Sequence, residues 1–174
     1  QGNISVHLNK KDHYILEKIK NLMGSTRPID CYGYSSYLRL DSKILAQDLI
    51  NLGCVPKKSL ILEFPDIPHQ YLSHFIRGFF DGDGSIHFNK PNTIKVAFIS
   101  TKQFLESLQV KLNNILGLKI GPLQKQIKMY TALYYSDDAR KLCSWMYENS
   151  KDLYLTRKRN RFEKHIELRK NGKL

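Results

Sequence analysis

Along the first residues Ile4, Val6 and Leu8 alternate with Ser5, His7 and Asn9, the two-residue period of a strand with one buried face. Over 13–23 the period lengthens. Ile15, Leu16, Ile19, Leu22 and Met23 share one side of a helix that Asp12 is placed to cap and Gly24 to stop. Strands are then predicted over 29–34 and 37–41, followed by a second helix over 43–52 that ends at Gly53. Pro65 and Pro68 punctuate the chain beyond it.

Much the same order then returns. The pattern predicts a helix ending near Asp83, strands over 85–89 and 94–99, and a helix over 102–116 stopped by Gly117. Strands over 123–130 and 132–135 and a helix over 139–147 follow. Gly2-Asn3-Ile4-Ser5 matches Gly84-Ser85-Ile86-His87 in type, Leu22-Met23-Gly24 matches Ile115-Leu116-Gly117, and 38–49 resembles 133–145. An internal repeat of this kind implies two similar surfaces. The expected units are 1–66 and 67–174, the second ending in one more basic helix that carries Arg157, Lys158, Arg159 and Arg161.

Charge narrows the partner. With 28 Lys+Arg against 16 Asp+Glu, the 174 residues carry a formal charge of +12 and a pI near 9.6. That is the electrostatic footprint of a polyanion binder, and nucleic acid is the first polyanion to test. Cys31, Cys54 and Cys143 are odd in number and widely spaced, which fits neither a disulfide framework nor a zinc knuckle and points to a reduced, intracellular setting. No apolar run reaches the length of a membrane helix, and the first residues lack a signal-peptide pattern.

The most informative stretch is HFIRGFFDGDGSI, His74 to Ile86. Read as a calcium loop it fails, because placing Asp81 and Asp83 at loop positions three and five puts Phe79 and Lys90 where the first and last acidic ligands belong. A plain Asp-Gly turn leaves the preceding residues unexplained. Tyr71, Leu72, Phe75, Ile76, Phe79 and Phe80 trace a helical apolar face, so the acids sit at a helix end. Gly78 and Gly82, four apart, lie on one side of that helix, where a missing Cβ lets another helix come close. Such an approach would carry Asp83 to the midline between the halves, where a carboxylate can hold a divalent cation against phosphate.

Ile76-Arg77-Gly78-Phe79-Phe80-Asp81-Gly82-Asp83-Gly84 resembles the nine-residue signature of the LAGLIDADG homing endonucleases, with its acid-small-acid end and terminal glycine. The doubled order is similar to that of the single-chain members. Val55-Pro56-Lys57-Lys58-Ser59 followed by Phe64-Pro65 resembles the joining segment of intein-type and free-standing bacterial or phage members. The resemblance implies an α+β fold of two pseudo-symmetric αββαββα repeats forming a β saddle over DNA, with the first motif helix largely absent from these residues. It implies a monomeric enzyme that hydrolyses double-stranded DNA at a long site, within a bacterial or phage-infected cytoplasm or an organelle. Mg²⁺ is the expected metal, with Mn²⁺ as the expected substitute, and Ca²⁺ should support binding without cleavage. Asp83 and the Gly82 carbonyl are the implied metal ligands, with Lys58 and its repeat counterpart Lys158 near the scissile phosphates and Asp81 structural. Aligning Gly2 with Gly84 puts Gln1 at the first motif's acid position, where a native glutamine would remove a ligand and leave nicking or binding only. A non-cleaving DNA or RNA binder on the same scaffold, such as a maturase or regulator, is the alternative.

Period-two sorting gives the groups that would read bases. Ser5, His7, Asn9, Tyr37, Arg39, Ser85, His87, Asn89 and Lys95 face outward, as do Gln124, Gln126, Lys128 and Tyr130 if Leu123, Ile127 and Met129 face in. Arg or Lys to guanine and Asn or Gln to adenine are pairings available in a major groove. Arg157, Arg159 and Arg161 are expected to add phosphate contacts.

Overall fold

A computed structural model describes residues 2–56, 60–90 and 93–171, with the side chains of residues 89 and 90 outside the described set. In the first repeat β1 (Asn3–Asn9), α1 (His13–Leu22), β2 (Ile29–Tyr32), β3 (Ser35–Asp41) and α2 (Lys43–Asn51) follow one another. The second contains α3 (His69–Asp83), β4 (Gly84–Lys90), β5 (Thr93–Ser100), α4 (Lys102–Leu116), β6 (Gln124–Lys125), β7 (Tyr130–Tyr135), α5 (Ser136–Tyr147) and α6 (Thr156–Lys170). All strand pairs are antiparallel, in sheets of order β1-β3-β2 and β4-β5-β7-β6. Helices cover one face of each sheet. The larger core joins Leu72, Ile76 and Phe80 of α3 to Ile86, Val96, Phe98 and Tyr134 of the strands, whereas that of the first repeat centres on Leu16, Leu38 and Leu40.

The pairing registers show how the repeats correspond. Asn3↔Asp41 and Ile4↔Leu40 occupy the places of Lys95↔Tyr135 and Val96↔Tyr134, and Asp30↔Tyr37 that of Gln124↔Thr131. Asn9, the last residue of β1, and Thr101, the residue after β5, both accept a capping hydrogen bond, from the backbone N–H groups of Lys11 and Phe104. So β1 is the counterpart of β5, not of β4. The match of Gly2 with Gly84 does not hold, and with it goes the placing of Gln1 at a motif acid; Gln1 itself lies outside the described residues. The match of 38–49 with 133–145 is one residue out, since buried Leu38 corresponds to buried Ala132. Short alternating runs carry a period but not a hairpin position, which only the pairing supplies.

Other expectations shift for local reasons. Asp12 makes no capping hydrogen bond; Asn9 caps a 3-10 turn ahead of α1, freeing the Asp12 carboxylate for Arg157 at 3.1 Å. Ile127 is 96% exposed at the tip of a turn closed by Gln126 N–H on the Met129 carbonyl, so β6 keeps only two residues. Tyr130 shares the inner parity of Ala132 and Tyr134 and packs on the core, which removes it from the outward set.

The repeats are tied together by the segment before α6. Tyr14 donates to the Tyr154 carbonyl and accepts from Thr156 N–H, Lys18 donates to the Asp152 carbonyl, and Arg157 reaches Asp12.

Candidate nucleic-acid interface and metal site

The α3 helix runs unbroken through Gly78 and Gly82 to Asp83, and β4 begins at the next residue. Gly84 is required there: a Cβ would lie 2.3 Å from Phe80 Cδ2 and 2.6 Å from the Phe80 carbonyl. The packing of Phe80 into the core therefore fixes the turn that presents Asp83, which is exposed. Gly78 and Gly82 differ, since a Cβ at either meets nothing within 4 Å among the described residues. They line a cleft of about 730 Å³ between α3, the inner face of β1 and α1. The close helix approach expected at these glycines is not made within the described residues.

Two buried cations hold the motif helix. Arg77, 3% exposed, donates to the Leu153 and Met146 carbonyls and bonds His74 Nδ1; burial lowers its pKa. Lys158, 4% exposed, donates to the carbonyls of Phe80 at 2.5 Å, Asp81 at 2.9 Å and Gly84 at 2.6 Å. An ammonium has three donors and all are taken. Lys158 thus closes the C-terminal end of α3 and keeps no free donor for the phosphate expected of it; burial lowers its pKa to about 8. The carbonyls it takes do not include that of Gly82. Asp81 accepts from Leu155 N–H, as a residue of the helix end should, and desolvation raises its pKa to about 6.

A divalent cation fits this end in part. The Asp83 carboxylate and the Gly82 carbonyl are hard oxygen donors, and among the described residues no three His, Cys, Asp or Glu converge to complete a site. Lys58 lies outside the described residues.

Among the described residues each sheet leaves one face free of helices. Asn3, Ser5, His7 and Asn9 are exposed on β1, beside Tyr37 and Arg39. His7 stacks on Tyr37, with ring centroids 4.4 Å apart, and Arg39 pairs with Asp30. On the second sheet the free face carries Ser85, His87, Lys95 and Gln124, with Gln126 and Lys128 at the hairpin end; the side chain of Asn89 is outside the described set. Sequence patterning missed that Ala97, Ile99, Thr131, Leu133 and Tyr135 share this face. The signal was present in the burial parity of Val96, Phe98 and Tyr134. Arg157, Arg159 and Arg161 of α6 do not join it: Arg157 faces Asp12, Arg161 donates to the Ile86 carbonyl, and Arg159 is held by Glu163 and the Tyr154 ring.

Solved structures with this architecture include the LAGLIDADG meganuclease I-AabMI bound to uncleaved DNA, similar over 98% of this chain and 82% of its own with a TM-score of 0.63 at 14% identity. The LAGLIDADG homing endonuclease I-GzeII in complex with its DNA target is similar over 97% and 79%, at 0.64 and 13%. I-SmaMI bound to cleaved DNA is similar over 95% and 77%, at 0.61 and 12%. No protein-family model matches the sequence, and no curated protein does. The chain has the LAGLIDADG fold, two antiparallel sheets forming a saddle.

Proposed function

We propose that the protein is a site-specific DNA endonuclease that lays the free faces of its two sheets in the major groove and hydrolyses phosphodiesters with a divalent metal. One observation carries this reading: an unbroken α3 delivers Asp83, exposed, to the junction where the second sheet's free face begins. The charge of +12 and the DNA-bound state of the similar structures support it.

Asp83 and the Gly82 carbonyl would hold Mg²⁺, which when bound activates water and offsets charge on the phosphate. The protein's own contribution is positional. Phe80 anchors the helix end, Lys158 closes it, and Arg77 locks it to the 146–153 segment. A carboxylate held this way would receive the cation without reorganising.

The test is incubation of the protein and its Asp83→Asn variant, in Mg²⁺, with supercoiled plasmids carrying candidate insertion sites. Cleaved product from the parent and none from the variant, with binding retained by both, is the expected result. Binding without cutting by the parent would move the reading to a non-cleaving DNA binder.

A further inference from the structure

The strand registers place the two free faces in residue-by-residue correspondence, and the faces differ in chemistry. His7, Ser5 and Arg39 of the first sheet stand where Ile99, Ala97 and Leu133 stand on the second. On one side these positions offer hydrogen-bonding groups; on the other they form an apolar patch across β5 and β7, with Thr131 opposite Ile99. Ala97 is buried within the patch at 6% exposure, whereas its larger members reach solvent. Ile99 is 44% exposed, Leu133 is half-buried, and Tyr135, paired with Lys95, extends the patch at 51% exposure. It begins beside Asp83, because β4 starts at Gly84 opposite Phe98, one residue before Ile99.

Resting on the DNA-reading role proposed above, we infer that the second sheet recognises thymine 5-methyl groups in the base pairs nearest the metal end of its half-site. The first sheet reads the matching positions of the other half by hydrogen bonding. The occupant is argued from charge and chemistry together. Lys95 and His87 lie on the same face, which suits a polyanion, while the Ile99 and Leu133 side chains offer no hydrogen bond to base donors and acceptors. The thymine methyl is the apolar group that a major groove displays. Each methyl covered should contribute roughly a factor of four in affinity, the equivalent of one buried methylene.

The experiment selects bound sequences from a pool of randomised duplexes with the whole chain, then replaces thymidine by deoxyuridine in one half of the selected site at a time. The expected result is a several-fold loss of affinity when one half is substituted and none for the other, with the loss absent in the Ile99→Ser variant. Ile99 is exposed enough for that change to leave the fold intact. Selection that succeeds but is indifferent to deoxyuridine in both halves overturns the inference and leaves DNA reading standing. Failure of any sequence to be enriched overturns both.

Discussion

Lys158 illustrates how far a residue's role depends on what surrounds its head group. A lysine contacting phosphate at the surface can be removed with little effect on folding, whereas Lys158→Met strips three carbonyls at the end of α3 of a charged donor. The expected loss is about 3 kcal/mol in urea denaturation, and a loss below about 0.5 kcal/mol would return Lys158 to the surface class. The glycines of the motif separate in the same way. Gly78→Ala should stabilise this chain by about 0.5–1 kcal/mol, since a helical Cβ there meets open space. Gly84→Ala should destabilise it by about 2 kcal/mol, because Phe80 has no room to yield. Matched thermal melts of the two variants check the opposite signs.

At the scale of elements, most of the architecture was legible in periodicity and stop signals. The α4 helix runs from Lys102 to Leu116 as its apolar spacing predicts, with Gly117 at φ 65° as the stop; Gly24 and Gly53 are likewise left-handed. What failed was the hairpin around residues 126–129, where Ile127 looked like a core residue, and the pairing of β1 with β4 in the repeat. Both depend on partner strands that sequence spacing does not specify. The segment that ties α1 to α6 was also invisible, because its partners lie some 140 residues apart. Tyr14→Phe leaves the Thr156 N–H without its partner. It should cost about 1–2 kcal/mol and speed hydrogen exchange at that amide, while exchange in the α4 helix stays slow.

For the whole molecule the governing quantity is charge. Duplex binding should weaken linearly in a plot of log affinity against log salt, with a slope near −0.9 per phosphate neutralised. Lys128, exposed at the tip of the second hairpin, should account for about one unit of that slope. Lys128→Gln is expected to reduce the slope by that amount without changing the melting temperature; titrations at several salt concentrations decide it. Arg157, Arg159 and Arg161 of α6, engaged with Asp12, Glu163 and the Ile86 carbonyl, should contribute less than their number suggests.

The sequence by itself determined most element types, the basic character and the helix that ends at Asp83, since each follows from local periodicity, turn chemistry or a count of charges. The tertiary structure alone decided which strand answers which, that Arg77 and Lys158 are buried clamps, and that one free face carries an apolar patch. Those outcomes depend on pairing register and on carbonyls far away in the chain, to which a local pattern is blind.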